Sequence, residues 1–162
     1  MADTTTPAAT ETAMSNGDRQ VLLQHLYVKD CSFESPRSPT VFGSNARPDI
    51  KIDMHTNAQK LDDGSFEVVL KLTAEATVEE RAVFLVEVQQ AGLFTLSGFS
   101  EQEQAAILST YCPNILFPYL REVVSDLTLK GGMMPLILQP VNFDALYAQR
   151  AGAQAAGDTA AN

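Results

Sequence analysis

The stretch DDGSFEVVLKLTAE, residues 62–75, carries the clearest structural signal in the chain. Its first three residues, two aspartates and a glycine, are typical of a tight turn. After the turn, apolar side chains recur at every second position over residues 66–74, and mostly polar ones fill the positions between them. Because successive side chains of a strand point to opposite faces, this pattern predicts a strand with one apolar and one wetter face.

Three more segments continue this alternation on either side of the turn. They cover residues 20–34, residues 49–55 and about residues 82–90, and the first of them has apolar side chains on both of its faces. The connections between the four segments are short and contain prolines or polar residues. Successive strands with short connections favour an antiparallel sheet with one wetter face.

The second half of the chain changes to a helical period. Ser100 and Glu103 have the spacing of a capping box, and an apolar face follows at helical spacing over residues 105–127. Pro113 and Pro118 predict a kink or two helical pieces, and a Gly-Gly pair ends the helix. A short last helix is predicted over residues 143–150. The sequence thus predicts an α+β fold, with a four-stranded antiparallel sheet followed by a long kinked helix and a short C-terminal helix.

The two ends of the 162-residue chain have few large apolar side chains. We therefore predict disordered tails at residues 1–18 and 151–162, around one folded domain at residues 19–150. Neither a secretory signal nor an apolar stretch long enough to span a membrane is evident, which favours a cytoplasmic protein that is not inserted in a membrane.

Composition and motifs exclude several function classes. The net charge of -9 argues against nucleic acid as a partner, because the phosphates require a basic surface. Cys31 and Cys112 lie far apart without a CxxC motif, and His25 and His55 lie in strand patterns without a catalytic partner. We therefore expect a protein that is not an enzyme and that has no metal or cofactor.

An apolar segment at residues 133–147 follows the long helix and contains two prolines. One interpretation is that it covers the sheet or the helix as part of the core. The other is that it forms a lid over a groove for apolar chain segments, a function that flexible Met side chains suit. The sequence pattern leaves both interpretations open.

Three longer motifs resemble the SecB family of protein-export chaperones. They are EVQQAGLFTLSG at residues 87–98, YCPNILFPYLRE at residues 111–122 and QPVNFDALY at residues 139–147. The stretch YVKDCSFESP at residues 27–36 agrees with them, and the resemblance runs from about residue 20 to residue 147. It implies a homotetrameric dimer of dimers that binds unfolded precursor proteins without ATP and delivers them to the ATPase SecA.

The resemblance also implies roles for individual residues. The SecA-binding residues would be Asp30, Glu34, Leu85 and Glu87. The residues that support the oligomer interface would be Val86, Val88 and Gln90. The groove for client proteins would be lined by Ile50, Ile52, Met54, Phe117, Tyr119, Leu146 and Tyr147, although core packing explains these seven residues nearly as well. Some family members have a Trp in the loop before the second strand, where this chain has Ala46.

Two alternatives belong to other functional classes. An α+β enzyme or small-ligand-binding protein would need at least one buried set of polar residues, and a closed internal pocket around His25 or His55 would favour this alternative. A specialised SecB-like chaperone associated with a toxin–antitoxin system would have a narrower set of clients.

Overall fold

The computed structural model describes residues 19–159 and contains one sheet and three α-helices over that range. The strands are β1 (Gln20–Glu34), β2 (Asp49–Lys60), β3 (Phe66–Val78) and β4 (Arg81–Ser97). The helices are α1 (Glu101–Ser109), α2 (Tyr111–Lys130) and α3 (Phe143–Thr159). A 3-10 helical turn, Thr40–Gly43, lies between β1 and β2. The predicted α+β fold is confirmed.

The four strands form an antiparallel sheet in the order β1-β4-β3-β2. Consecutive strands β2, β3 and β4 are joined by tight turns, while β1 pairs with β4 and forms one edge. Gly64 has a φ of 83° in the first turn, as the Asp-Asp-Gly signal predicts. In the second turn Glu79 and Glu80 both have positive φ angles, 51° and 60°. Val78 and Arg81, on either side of them, pair with each other and close this two-residue turn.

One face of the sheet, the inner face, is covered by α1 and α2. The even-numbered side chains of β3 and β4 point to it, and Leu70, Leu72 and Val88 are fully buried there against Leu116 and Leu120 of α2. Burial of large side chains such as these contributes about 1.5–3 kcal/mol each to folding. The odd-numbered side chains of β3 and β4 form the opposite, outer face.

The capping box at the start of α1 is confirmed. The Ser100 amide donates to Glu103 Oε2 (2.8 Å), and the Glu103 amide donates to Ser100 Oγ (3.3 Å). The first of these bonds lowers the pKa of the Glu103 carboxyl. The helix then breaks at Thr110, three residues before Pro113, while Pro118 lies inside α2. The predicted division into two helical pieces is therefore also correct.

Strand β1 does not keep the simple alternation that its sequence suggests. Register shifts occur between Leu23 and His25 and between Val28 and Asp30. Each β-bulge adds one residue to β1 and so exchanges the faces of the side chains that follow it. As a result Val28 pairs with an inner-face residue, whereas Asp30, with the same parity, pairs with the outer-face Gln89. The bulges explain why both parities of β1 contain apolar side chains.

Several predicted boundaries were wrong. Strands β2 and β4 extend to Lys60 and Ser97, beyond the predicted ends. Helix α3 extends to Thr159, beyond the predicted helix end at residue 150. Alanine has the highest helix propensity, so this segment forms a helix although it has few large apolar side chains to bury. The predicted N-terminal tail at residues 1–18 and the last three residues lie outside the described residues.

Gly92 lies within a regular stretch of the β3–β4 pairing, opposite Val68. A Cβ atom at this position would lie 2.6 Å from Phe94 Cε2 and 3.0 Å from Leu116 Cδ2. The missing side chain therefore makes room for the buried Phe94 ring beneath α2.

Candidate functional site: an acidic sheet face and two apolar recesses

The β1–β4 register brings the four predicted SecA-binding residues together. Glu34 lies opposite Leu85, Asp30 lies opposite Gln89, and Glu87 lies opposite Ser32, which is between Asp30 and Glu34 in β1. Directly paired residues of antiparallel strands share a face, so all four predicted side chains lie on the outer face within three adjacent rows. We call this group, Asp30, Glu34, Leu85 and Glu87, the acidic patch.

The next strand, β3, extends the acidic patch on its other side. Glu75 pairs with Leu85, and Thr73 pairs with Glu87 and donates a hydrogen bond to Glu87 Oε1 (3.3 Å). Leu85 thus lies between Glu34 and Glu75, as an apolar position between two carboxylates. The parity of β3 puts Glu75 on the outer face, but only the register reveals that it adjoins the patch.

A second polar cluster occupies the outer face nearer the start of β3. The Tyr27 hydroxyl donates to Glu67 Oε1 (2.5 Å), and Lys29 Nζ donates to Glu67 Oε2 (2.7 Å). These bonds, first that from Lys29, lower the pKa of the Glu67 carboxyl. Partial burial and the bond to Glu67 raise the pKa of Tyr27 to about 12. Here the carboxylate is neutralised by its partners, in contrast to the acidic patch.

A larger, mostly apolar recess lies between the β1–β2 loop and the segment after α2, and has a volume of about 760 Å³. Its walls are contributed by residues 37, 41, 42, 44–48 and 132–136, with Ile50, Val78, Val83 and Phe84. Phe42 (55% exposed) and Met134 (88% exposed) leave much of their apolar surface in contact with solvent. Thr128 supports one wall, because the Leu136 amide donates to its hydroxyl oxygen (2.9 Å).

The smaller recess, of about 240 Å³, lies under α3. Met54 and Thr56 of β2 form one side, and Leu146, Tyr147 and Arg150 of α3 form the other. Helix α3 therefore borders this recess, which is separate from the larger one.

The structure divides the seven predicted groove residues among several places. Ile50 lines the larger recess, and Met54, Leu146 and Tyr147 line the smaller one. Ile52 and Tyr119 are about half exposed but line neither recess.

Phe117 is a core residue, which corrects its predicted place in the groove. It is 7% exposed and packs edge-on against Phe143, with 6.1 Å between the ring centroids. The residues that sequence reasoning missed are those of the β1–β2 loop, above all Phe42. Phe42 is a large apolar side chain in a mostly polar loop, and this pattern could have indicated an exposed binding residue.

The three residues predicted to support the oligomer interface, Val86, Val88 and Gln90, are buried within the subunit. All three point to the inner face, where their exposure is 0%, 0% and 2%, so the side chains themselves do not present a surface to another subunit. Any influence on assembly would act through the position of the helices above them. Gln90 Nε2 donates to the Tyr27 carbonyl beside the second bulge (3.0 Å), while its Oε1 has no partner among the described residues.

The remaining candidate residues form no catalytic arrangement within residues 19–159. His55 Nε2 lies 2.8 Å from Asp53 Oδ2 on the surface, and neither histidine lines a recess. Burial raises the pKa of the Cys112 thiol to about 12, which disfavours the reactive thiolate. No group of three or more potential metal ligands occurs in this part of the chain.

These features define a class of protein: an α+β binding protein with one charged face and apolar surface recesses. The family model "Preprotein translocase subunit SecB" matches residues 14–154. A protein-export protein SecB from Methylococcus capsulatus is 53% identical over 82% of this chain and 86% of its own length. One from Alcanivorax borkumensis is 44% identical over 90% of this chain and 99% of its own length. The chain therefore belongs to the SecB family, whose members are chaperones of protein export and not enzymes.

A solved structure shows the same fold. The SecB-like chaperone of Mycobacterium tuberculosis, in complex with a ChAD peptide from the HigA1 antitoxin, superimposes with a TM-score of 0.59 at 20% identity. The match covers 75% of this chain and 91% of that one. None of the helices within residues 19–159 is both long enough and apolar enough to cross a membrane.

Proposed function

We propose that this SecB-family chain holds unfolded precursor proteins in its apolar recesses and uses the acidic patch to dock on SecA. The proposed binding of precursor proteins is supported by the larger recess, an open concave site of about 760 Å³ that is lined mostly by apolar side chains. Concave, mostly apolar surfaces are the usual binding sites of apolar ligands. Met133 and Met134 supply flexible side chains that adapt to different client segments.

Weak binding at each recess is sufficient for holding a long chain. When one segment of a client is bound, the next segment is at a high local concentration, and linkage of this kind raises overall affinity by about 10²–10⁴. The proposed homotetramer, a dimer of dimers, multiplies the number of recesses per particle and so supplies this linkage. The proposed place of action is the cytoplasm, before precursors reach the membrane.

The acidic patch suits a basic partner surface. Glu34 and Glu75 flank the apolar Leu85 from the two neighbouring strands, while Glu87 and Asp30 lie one and two rows further along the outer face. Complementary charges steer association and fix its orientation, while a central apolar contact excludes water. The patch and the recesses lie on different surfaces, so SecA could dock while a client is bound. The specialised toxin–antitoxin role is less well supported, because relatives named for protein export are 43–53% identical to this chain.

A light-scattering assay tests the holding activity. A denatured precursor protein is diluted into buffer with the full-length chain at one tetramer equivalent per precursor, and we expect its aggregation to be delayed. The variant F42S/M134S removes two exposed side chains of the larger recess and should lose most of this effect.

The matched control is L129S/I137S, since Leu129 (58%) and Ile137 (62%) are similarly exposed but line neither recess. It should delay aggregation as the unchanged protein does. Failure of the unchanged protein to delay aggregation would contradict the proposed function, and equal activity of both variants would contradict the assignment to the larger recess.

A further inference from the structure

The second β-bulge of β1 determines which face of the sheet the end of that strand presents. The first bulge, at Gln24, shifts the alternation of β1 by one residue, and the second, at Lys29, shifts it back. Val28 pairs with an inner-face residue before the second bulge, and Asp30 pairs with the outer-face Gln89 after it. If the second bulge alone were lost, Asp30 and the rest of β1 would exchange faces.

Side chains bind the residues around this bulge from both faces of the sheet. On the outer face, the Tyr27 hydroxyl and Lys29 Nζ each donate to one carboxylate oxygen of Glu67. On the inner face, Gln90 Nε2 donates to the Tyr27 carbonyl oxygen (3.0 Å). Gln90 is buried and Glu67 is half-buried, so these bonds are partly shielded from water. The bulge is therefore bonded to both β3 and β4.

The position of β1 in the sheet makes such bonds important. It is an edge strand, so within the subunit its backbone pairs with β4 alone. Most of its side chains are exposed, on both faces. Burial then specifies the register of a strand only weakly, and a slip by one residue exchanges the faces of all its side chains. The bonds from Glu67 of β3 reach across β4 and provide an additional constraint.

We propose that Glu67 is a positioning residue for docking on SecA, because its bonds fix the second bulge and thereby keep Asp30 and Glu34 on the outer face. This inference rests on the proposed function. It adds a residue that lies outside the acidic patch and on which the geometry of the patch depends.

The register separates Glu67 from the acidic patch. Glu67 pairs with Leu93, whereas Asp30 pairs with Gln89, four residues away along β4. This separation is roughly 13 Å at about 3.3 Å per residue. Both carboxylate oxygens of Glu67 are also occupied by donors of β1. An effect of Glu67 on docking would therefore act through β1.

The SecA affinity of full-length variants, measured by isothermal titration calorimetry, tests the positioning role. Glu67→Leu removes both bonds, and we expect the affinity to fall about three- to tenfold, as for the loss of two exposed ion pairs. Glu67→Gln retains an oxygen that accepts from Tyr27 and should keep most of the affinity. Asp62→Asn removes the same charge from the exposed β2–β3 turn and should keep all of it.

A double-mutant cycle distinguishes positioning from a general loss of stability. Asp30→Asn should weaken SecA binding in the unchanged protein and have no further effect in Glu67→Leu, where Asp30 no longer faces SecA. Glu67→Leu should still delay the aggregation of a denatured precursor, because the recesses lie on another surface.

A competing explanation is that Glu67→Leu frees the Lys29 ammonium, which then repels a basic partner. Lys29→Gln in the Glu67→Leu background removes that charge without restoring the bonds to Glu67. We expect the affinity to remain low in this double variant. Recovery of the affinity would support the competing explanation and overturn the positioning role.

The remaining outcomes separate this inference from the proposed function. If Glu67→Leu binds SecA as the unchanged protein does, or if Asp30→Asn costs the same factor in both backgrounds, the positioning role is wrong while docking through the acidic patch stands. Loss of the delay of aggregation together with SecA affinity would assign Glu67 to general stability instead. If the unchanged protein does not bind SecA, the proposed docking fails and the inference fails with it.

Discussion

Glu34 and Leu85 lie directly opposite each other across β1 and β4, on the outer face of the sheet. Glu75 of β3 pairs with the other side of Leu85, so this leucine is enclosed by carboxylates from both neighbouring strands. Residues 34 and 85 are distant in sequence, and their contact depends on two β-bulges in β1. This pairing brings Asp30, Glu34, Leu85 and Glu87 together on one surface, the acidic patch.

Charge reversal in the acidic patch should weaken docking on SecA. Glu87 accepts only a long hydrogen bond from Thr73, so Glu87→Lys should leave the sheet folded. The substitution replaces an attractive charge by a repulsive one, and we expect the affinity for SecA to fall about tenfold or more. Isothermal titration calorimetry at low and high salt measures the effect, which should shrink as salt screens the charges.

Asp62→Lys provides the matched control for this reversal. Asp62 is exposed in the β2–β3 turn, at the far end of the sheet from the acidic patch. Its substitution by Lys changes the net charge by the same amount as Glu87→Lys does. Its SecA affinity should stay close to that of the unchanged protein. An equal loss of affinity in both variants would mean that only net charge matters.

Thr128→Val should loosen the wall of the larger recess. The buried Thr128 hydroxyl lies 3.0 Å from the carbonyl oxygens of Val124 and Ser125, and it accepts from the Leu136 amide. Valine has nearly the same shape but leaves that amide without its partner, so we expect a loss of about 1–3 kcal/mol in the free energy of unfolding. Amide hydrogen exchange at Leu136 should accelerate.

Thr128→Ser keeps the hydroxyl and is the control for the lost bond. The Leu136 amide should exchange as slowly in this variant as in the unchanged protein. The assigned role of the hydroxyl would be wrong if Thr128→Val left that exchange rate unaltered.

Gly92→Ala should overpack the space between sheet and helix. The added Cβ would lie 2.6 Å from Phe94 Cε2, and the Phe94 ring is fully buried and has little room to move. Overpacking of this kind costs about 1–3 kcal/mol, which urea unfolding measures directly. Phe94→Leu in the same background should recover part of the loss, because it removes the ring.

Gly43→Ala is the matched control, since a Cβ there meets no atom within 4 Å. We expect unchanged or slightly greater stability from this substitution. Equal stability of the two alanine variants would contradict the role assigned to Gly92.

Glu67→Gln should change how stability depends on pH. The pKa of the Glu67 carboxyl is lowered in the folded protein, chiefly by Lys29, so its ionised form favours folding above the unfolded-state pKa of about 4.3. That contribution is lost as the pH falls through the folded-state value. The unchanged protein should thus be more stable than Glu67→Gln at pH 7, and the difference should shrink as the pH falls below about 4.3.

Alkaline pH gives the complementary result for Tyr27. Its pKa is raised to about 12, so its contribution is complete below about pH 10 and is lost as the pH rises through 12. Tyr27→Phe should remove this alkaline decline, which thermal unfolding at a series of pH values records. If the pH profiles of both variants run parallel to that of the unchanged protein, the cluster has no energetic coupling.

The elements of this fold could be predicted because their signals are local. The turn before Phe66, the inner face of β3 and the capping box at Ser100 depend on neighbours a few residues away, and all three are confirmed. The α+β order follows from the change of period between the two halves. The extent of α3 was misjudged because the prediction considered burial and neglected the helix propensity of alanine.

The candidate sites depend on contacts that the local pattern does not contain. The alternation in β1 puts Asp30 and Glu34 on one face of that strand, and the alternation in β4 puts Leu85 and Glu87 on one face of theirs. The alternation alone does not show whether these two faces lie on the same side of the sheet. The pairing of β1 with β4 shows that they do, because Asp30 and Glu34 lie opposite the odd-numbered Gln89 and Leu85. Likewise Phe117 and Phe42 are equally apolar in sequence, yet one is buried against Phe143 and the other is 55% exposed beside a recess.

The sequence by itself therefore determined the secondary structure, the net negative charge and, through its motifs, the family. The tertiary structure decided which strand faces meet, which apolar side chains remain outside the core, and that Arg37 and Arg47 line a recess while the carboxylates gather on the sheet. The physical reason is that strand register and helix packing are set by pairings between residues far apart in the chain, where a single bulge exchanges the two faces of a strand.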